Sequence, residues 1–309
     1  MLVYVSNNET DFPALNNTAV ALGTFDAIHK GHKTIIEDAV RYAKENGLTS
    51  VVYMFKNMPK EVIECLRIPS VNTFEQRIRI LEKMGVDVVV AEEFTEEFSQ
   101  ISAEDFVTEY LVKKIGAKYV VSGDNYHFGR MGKGNVDFLA DFISHYGVKT
   151  KYISCIMADG ERISSTRIRK CLEEGKVEEA EKLLGRYYSI YGRVLNGNKI
   201  GRMMNFPTAN IAIPKNAISP KYGVYITRTI IDGRAYMSLT NIGGKPTVEE
   251  NAECVETHIM DFSGDIYDKE VEVEFVKYIR GINKFSSVDE LKKQLEKDKK
   301  IAKEYFKSR

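Results

Sequence analysis

Residues 18–32 read TAVALGTFDAIHKGH. The apolar run over 18–25 fits a buried strand, with Gly23 near its end. Residues 31–46 then place Ile35, Ile36, Ala39, Val40 and Ala43 on one face of a helix that Gly47 stops. His29 and His32, three apart, fall on one side of the turn where strand gives way to helix. A helix N-terminus offers unpaired N–H groups and the positive end of a dipole to a phosphate. Gly31 keeps the backbone open to a close ligand, and imidazoles there can stabilise charge as it shifts on an α-phosphate. Two surface histidines, or a pair of metal ligands, are alternative readings, but no third ligand has fitting spacing.

Working outward, the same alternation recurs. Residues 49–55 are β-rich, Thr73 to Met84 has helical spacing, and Val86 to Val90 is a strand. Ser102 is an N-cap for a helix running to Ile115. Tyr119 to Ser122, a helix over 136–146 and a strand over 148–156 follow. Such alternation predicts an α/β domain, a doubly wound parallel sheet with helices on both faces. Ligands of such sheets bind beyond the carboxyl ends of the strands.

After two short helices over 164–185 the pattern changes. Tyr187–Val194, Val224–Ile231, Arg234–Thr240, Val255–Phe262 and Val271–Val276 favour strands. Ile231-Asp232-Gly233-Arg234 is a hairpin signal, because Asp-Gly tolerates positive φ, and Ser263-Gly264-Asp265 is a second turn. An amphipathic helix from Ser287 to about Phe306 closes the chain. The expectation is two domains, 1–185 and 186–309, the second a small antiparallel β structure with a terminal helix.

Composition narrows the function classes. Lysine plus arginine and aspartate plus glutamate each number 44 in 309 residues. The zero balance argues against a general nucleic-acid partner. Cys65, Cys155, Cys171 and Cys254 show no paired metal-ligand spacing and read as reduced thiols. No apolar run approaches the roughly 20 residues of a membrane helix, and the first residues lack a signal-peptide pattern. The expected location is the cytoplasm, without a membrane partner; nothing in the sequence specifies an oligomeric state.

The segment Gly23–His32, G-x-F-D-x-x-H-x-G-H, resembles the HxGH signature of nucleotidyltransferases in the form found in bacterial bifunctional FAD synthetases. Ile163–Arg169, ISSTRIR, resembles the family's second element. It supplies Ser164, Ser165 and Thr166 as hydroxyl donors and Arg167 and Arg169 as charged donors. Gly123–Gly129 resembles the loop lining the flavin and adenine pocket. The resemblance implies FMN adenylylation by ATP. His29 and His32 are then catalytic, Gly23, Phe25, Asp26, Gly31, Ser164, Ser165, Thr166 and Arg169 hold nucleotide, and Asn125 and Phe128 hold flavin. Two positions depart from the family: Ala27 stands where Gly is usual, and Asn57-Met58-Pro59 stands where many members have Pro-His-Pro.

Gly197–Asn210, GNKIGRMMNFPTAN, resembles the riboflavin kinase domain, as do Tyr222–Tyr225, Asn241–Thr247 and Val255–Ile259. The resemblance implies a six-stranded barrel that phosphorylates riboflavin to FMN with ATP. Gly197, Gly201 and Arg202 approach phosphate, and Thr208 and Asn210 serve as oxygen ligands for Mg²⁺. Glu256 is the general base, while His258 is structural. Asn205 and Asp268 replace family glycines. The alternatives are a riboflavin kinase with a slow or vestigial adenylyltransferase domain, or a non-catalytic flavin-binding regulator.

Overall fold

The structure, a computed structural model, describes residues 1–7, 12–195, 206, 208–214, 216–244 and 253–307. It divides into two compact units, Met1–Ser165 and Thr166–Arg309. The boundary thus lies ahead of the expected Gly185. Helices α7 (Ser165–Glu173) and α8 (Val177–Leu184) explain the difference. Their apolar faces bury Ile168, Leu172, Leu183 and Leu184. The Leu172 carbonyl accepts the Lys221 N–H at 2.9 Å, and α8 packs on strands of the second unit.

The first unit is a six-stranded sheet in the order β1-β4-β3-β2-β5-β6, parallel throughout. Its strands are β1 (Leu2–Ser6), β2 (Thr18–Leu22), β3 (Thr49–Phe55), β4 (Val88–Glu92), β5 (Ala117–Gly123) and β6 (Lys149–Ile153). Side chains of β2–β5 are buried on both faces, as a sheet covered by helices on each side requires. Val20, Leu22, Tyr53 and Val90 pack with Phe106, Leu111 and Leu139. Ala19, Ala21, Met54 and Val89 pack with Ile35, Ile36 and Leu81. The crossovers reverse direction between β2 and β5, which makes the carboxyl ends of these two strands the natural ligand position.

Helix α1 (Lys30–Asn46) ends at Gly47, which has φ +66°. It is pinned to the sheet through buried Asp38, whose carboxylate accepts from Tyr119 Oη, Lys151 Nζ and Arg41 Nη2 at 2.5 Å each. Helices α2 (Pro59–Ile63), α3 (Phe74–Lys83) and α4 (Glu96–Ser99) follow. The segment expected as one α-helix from Ser102 to Ile115 is α-helical only at α5 (Ala103–Asp105) and π-helical over Phe106–Lys114. The wider turn brings Phe106 and Leu111, five residues apart, into the same core. Helix α6 (Val136–Ser144) precedes β6, and a short ribbon of β7 (Met157–Ala158) and β8 (Glu161–Arg162) closes the unit.

The second unit is a closed six-stranded barrel, β10-β13-β12-β11-β14-β9. It comprises β9 (Tyr188–Leu195), β10 (Ala209–Ala212), β11 (Gly223–Ile231), β12 (Arg234–Gly244), β13 (Glu253–Ile259) and β14 (Glu270–Arg280). Asp232 and Gly233 take positive φ between β11 and β12, as the hairpin signal predicts. The barrel interior carries a run of fully buried hydroxyls: Thr229 bonds Ser238, Ser238 bonds Thr227, Thr227 bonds Thr240, and Thr240 bonds Thr257. Each polar group so enclosed is satisfied by its neighbour. Helix α9 (Val288–Lys307) buries Ala302 against Val224, Ile226, Leu239 and Val276. Its Asp298, 0% exposed, accepts from Arg280 Nη2 at 2.8 Å and Gln294 Nε2 at 2.8 Å.

Candidate active sites

A cavity of about 720 Å³ opens at the carboxyl ends of the first unit's strands, a volume in the range of small-molecule sites. Of the expected residues it is lined by Gly23, Phe25, His29, Gly31, His32, Asn125, Phe128, Ser164 and Ser165. Strands β2 and β5 and the segment after β8 bring these together from distant parts of the chain.

His29 is the N-cap of α1, and its Nδ1 accepts the His32 N–H at 3.2 Å. An acceptor Nδ1 places the ring proton on Nε2, so the neutral imidazole is a donor at its far nitrogen. The two imidazoles stack with centroids 3.7 Å apart, and His32 meets the Phe25 ring edge-on at 5.3 Å. Phe25 and Ile28 both take positive φ, +48° and +41°. For a β-branched residue this is a costly conformation, on the order of 1–3 kcal/mol. The loop holds it because Phe25, Ala27 and Ile28 are all 0% exposed. Gly23 is required here, since a Cβ would lie 2.8 Å from the Phe25 ring. Ala27 lies outside the left-handed region, so its backbone does not need the family's usual glycine.

Asp26 is placed differently from its expected contact with nucleotide. It is 1% exposed, does not line the cavity, and its Oδ1 accepts the Val71 N–H at 2.9 Å. A carboxylate spent on a buried backbone amide braces the loop. Thr166 and Arg169 belong to the second unit, on α7. Neither lines the cavity. Arg167 bonds Glu179 of α8 at 3.3 Å.

Much of the remaining lining is apolar. Phe55, Phe94, Phe98, Phe106 and Tyr126 contribute to it together with Met58 and Ile63. The first three rings meet edge-on or tilted at 5.0–5.7 Å. Asn57 fixes this wall through a reciprocal pair: its Nδ2 donates to the Phe94 carbonyl at 2.9 Å and its Oδ1 accepts the Phe94 N–H at 2.8 Å. Burial pushes the Tyr126 phenol well up, so it stays neutral. Tyr126 falls in the Gly123–Gly129 loop expected to line a pocket, whereas Phe55, Phe94, Phe98 and Phe106 were missed by sequence reasoning; they sit on separate segments and share no local motif.

In the second unit, Glu256 on β13 stands opposite Asn210 on β10 and Asn241 on β12. Directly opposed residues project to one face, so the three side chains start abreast. Asn210 is buried, with Oδ1 3.7 Å from Cys254 Sγ; Glu256 is half-buried and Thr208 exposed. His258 is buried and stacks on Phe206 at 3.9 Å. A cavity of about 440 Å³ is lined by Thr208, Thr257, Phe262, Asp265 and Tyr267 among others. Asp268 has φ +59°, a conformation that aspartate tolerates better than most residues. Gly197, Gly201 and Arg202, with Asn205, lie outside the described residues. Among the described residues no group of three or more His, Cys, Asp or Glu could hold a metal, and no helix is long and apolar enough to cross a membrane.

A family model described as FAD synthetase matches residues 11–167, and one described as riboflavin kinase matches residues 184–306. A bifunctional riboflavin kinase/FMN adenylyltransferase of Buchnera aphidicola subsp. Schizaphis graminum is 36% identical over 296 residues, 94% of this chain and 95% of its own. This chain belongs to that bifunctional family. The relative from Haemophilus influenzae is also 36% identical, over 95% of this chain and 96% of its own. The Bacillus subtilis member is 34% identical over 94% and 92%. Among solved structures, one from Streptococcus pneumoniae described as a macrolide-efflux protein superposes with TM-score 0.88 at 30% identity, covering 98% of this chain and 99% of that one. Family membership accounts for both units at once: the parallel sheet with its HxGH turn and the closed barrel with its terminal helix.

Proposed function

We propose that the cavity of the first unit is where ATP adenylylates FMN, and that the barrel's Glu256 face is where ATP phosphorylates riboflavin. Together the two reactions make FAD from riboflavin. The observation that carries the reading is the cavity at the β2/β5 reversal, lined both by two stacked imidazoles and by a group of aromatic rings. In the first reaction a phosphate oxygen of FMN attacks the α-phosphorus of ATP, and pyrophosphate leaves. His29 Nε2–H, His32 and the Ser164 and Ser165 hydroxyls would donate to the phosphates as charge shifts toward the leaving group. The aromatic wall, with Asn125 and Phe128, would take the flavin. Met58 supplies an apolar contact where many relatives have an imidazole, and the other donors still line the cavity, which favours a working site over a vestigial one.

In the second reaction the riboflavin 5′-hydroxyl attacks the γ-phosphorus of ATP and ADP leaves. Glu256 would accept the hydroxyl proton. Thr208 and Asn210 lie two apart at the start of β10, so alternation puts both oxygens on one side. Hard oxygen donors of this kind suit Mg²⁺ shared with phosphates and water. When bound, that ion would neutralise phosphate charge. Transfer itself rests on positioning by the chain's own groups.

Product analysis tests this. The full chain is incubated with riboflavin, ATP and Mg²⁺, and flavins are separated over time. FMN followed by FAD is expected. Glu256→Gln should abolish FMN formation yet leave FAD formation from supplied FMN. Loss of both, or of neither, would refute the division of labour.

A further inference from the structure

Arg77 sits in the first turn of α3, and the sequence places it there. Thr73-Phe74-Glu75-Gln76 forms a reciprocal capping box. Thr73 Oγ1 accepts the Gln76 N–H at 3.3 Å, and Gln76 Oε1 accepts the Thr73 N–H at 2.9 Å. The start of the helix is therefore fixed, and Arg77 points inward with 4% of its surface exposed. Its guanidinium faces the carboxyl ends of two strands. Nη1 donates to the Phe55 carbonyl at 2.7 Å and the Thr24 carbonyl at 3.3 Å. Nη2 donates to the Lys56 carbonyl at 2.6 Å. Burial pushes the guanidinium below its ordinary range, and the carboxylates of Asp26 and Glu75 counter this only in part.

Those three carbonyls belong to two functional loops. Thr24 lies in the loop that carries Phe25 and His29. Phe55 and Lys56 begin the segment that carries Asn57 and Met58 to the aromatic wall. A planar fork of donors spans both in a way that a point cation cannot. Resting on the reading of this cavity given above, we infer that Arg77 is a positioning residue that sets the distance between the phosphate-binding loop and the flavin wall. It touches neither reactant. Asn57 has the narrower task, since its amide reaches only the Phe94 backbone on the flavin side.

The test uses the full chain with R77K, R77M and N57A. It measures kcat and the KM for FMN and for ATP in adenylyl transfer, with thermal unfolding and riboflavin phosphorylation followed alongside. Misplacement of reacting groups by about 1 Å costs on the order of 10²-fold. R77M is accordingly expected to lower kcat by roughly 10- to 100-fold and to raise both KM values. R77K should fall between R77M and the parent. N57A should raise the KM for FMN alone, and riboflavin phosphorylation should persist in all three. The inference is overturned if folded R77K keeps both KM values and kcat, or if only one substrate responds to Arg77. It is also overturned if R77M and R77K lose FAD formation only in proportion to the unfolded fraction, with KM unchanged. Failure of the parent chain to form FAD would instead remove the reading of the cavity itself.

Discussion

The function proposed above gives His29 two tasks, one for each ring nitrogen, and substitution can separate them. Nδ1 caps α1 by accepting the His32 N–H at 3.2 Å; in the function proposed above, Nε2–H donates to phosphate. Removing an N-cap acceptor costs about 0.5–2 kcal/mol, and the long bond here argues for the lower half, about 1 kcal/mol. Removing a donor aimed at developing charge costs roughly 10²–10³ in rate. His29→Asn places an amide oxygen where Nδ1 lies and has nothing at the Nε2 position. His29→Gln does the reverse, and His29→Ala loses both. The expected order of stability is therefore His and Asn together, about 1 kcal/mol above Gln and Ala. The expected order of FAD formation is His, then Gln, then Asn and Ala together. Urea unfolding followed by far-ultraviolet circular dichroism reads the first, with hydrogen exchange at the His32 amide as a local reporter. Chromatographic FAD formation from FMN reads the second. If His29→Asn is as unstable as His29→Ala, the cap is not held by Nδ1. If His29→Asn retains the parent rate, Nε2 is not the donor.

Two further outcomes follow from buried carboxylates. Burial pushes Asp38 up, but hydrogen bonds from Lys151 and Tyr119 and the charges of Lys151 and Arg41 outweigh it and hold the carboxyl below its ordinary range. A depressed folded value means stability that is fully present above the unfolded pKa of about 3.9 and is lost as pH falls through the folded value. The parent's advantage over Asp38→Asn should be constant from neutral pH down to about pH 5 and shrink below about pH 4; an advantage that grows toward acid would refute the assignment. Asp298→Ala leaves Arg280 without its buried partner and should destabilise the second unit by about 3–5 kcal/mol, with an Arg280→Met/Asp298→Leu pair recovering part of the loss. Denaturant midpoints of the parent and the two variants check this, and a cost for Asp298→Ala below about 1 kcal/mol would contradict the pairing.

Much of this was legible in the sequence because the signals are local. The strand-to-helix turn at Gly23–His32, the Asp232-Gly233 hairpin and the Gly47 stop each rest on neighbouring residues. What escaped depends on partners far along the chain. Strand β1 is five residues that pair, among the described residues, with β4 alone, so nothing beside it in the sequence announces it. Strand β10 hides inside a motif read for its ligands. The π-helix at Phe106–Lys114 carries a pattern that also suits an α-helix. In the site, Asp26 was read toward nucleotide because it stands in the signature, yet its partner is the backbone of Val71, and no spacing rule predicts that. The Asn57-Met58 substitution looked like a lost imidazole; the structure shows what Asn57 supplies, a side-chain pairing with Phe94.

The barrel closes by pairing its first strand with its last: Tyr188 of β9 stands opposite Phe275 of β14. During synthesis that final seam must wait until β14 has been made, more than 70 residues after β9. The sheet of the first unit is complete by Ile153 and needs nothing from that seam. The order of translation thus favours an early-folding first half and a late, slow second half, in which unpaired strand edges stay exposed until β14 arrives. A chain terminated after β13 would keep a foldable sheet and carry an open barrel with β9 and β11 each lacking a neighbour, the condition under which strands pair with other molecules.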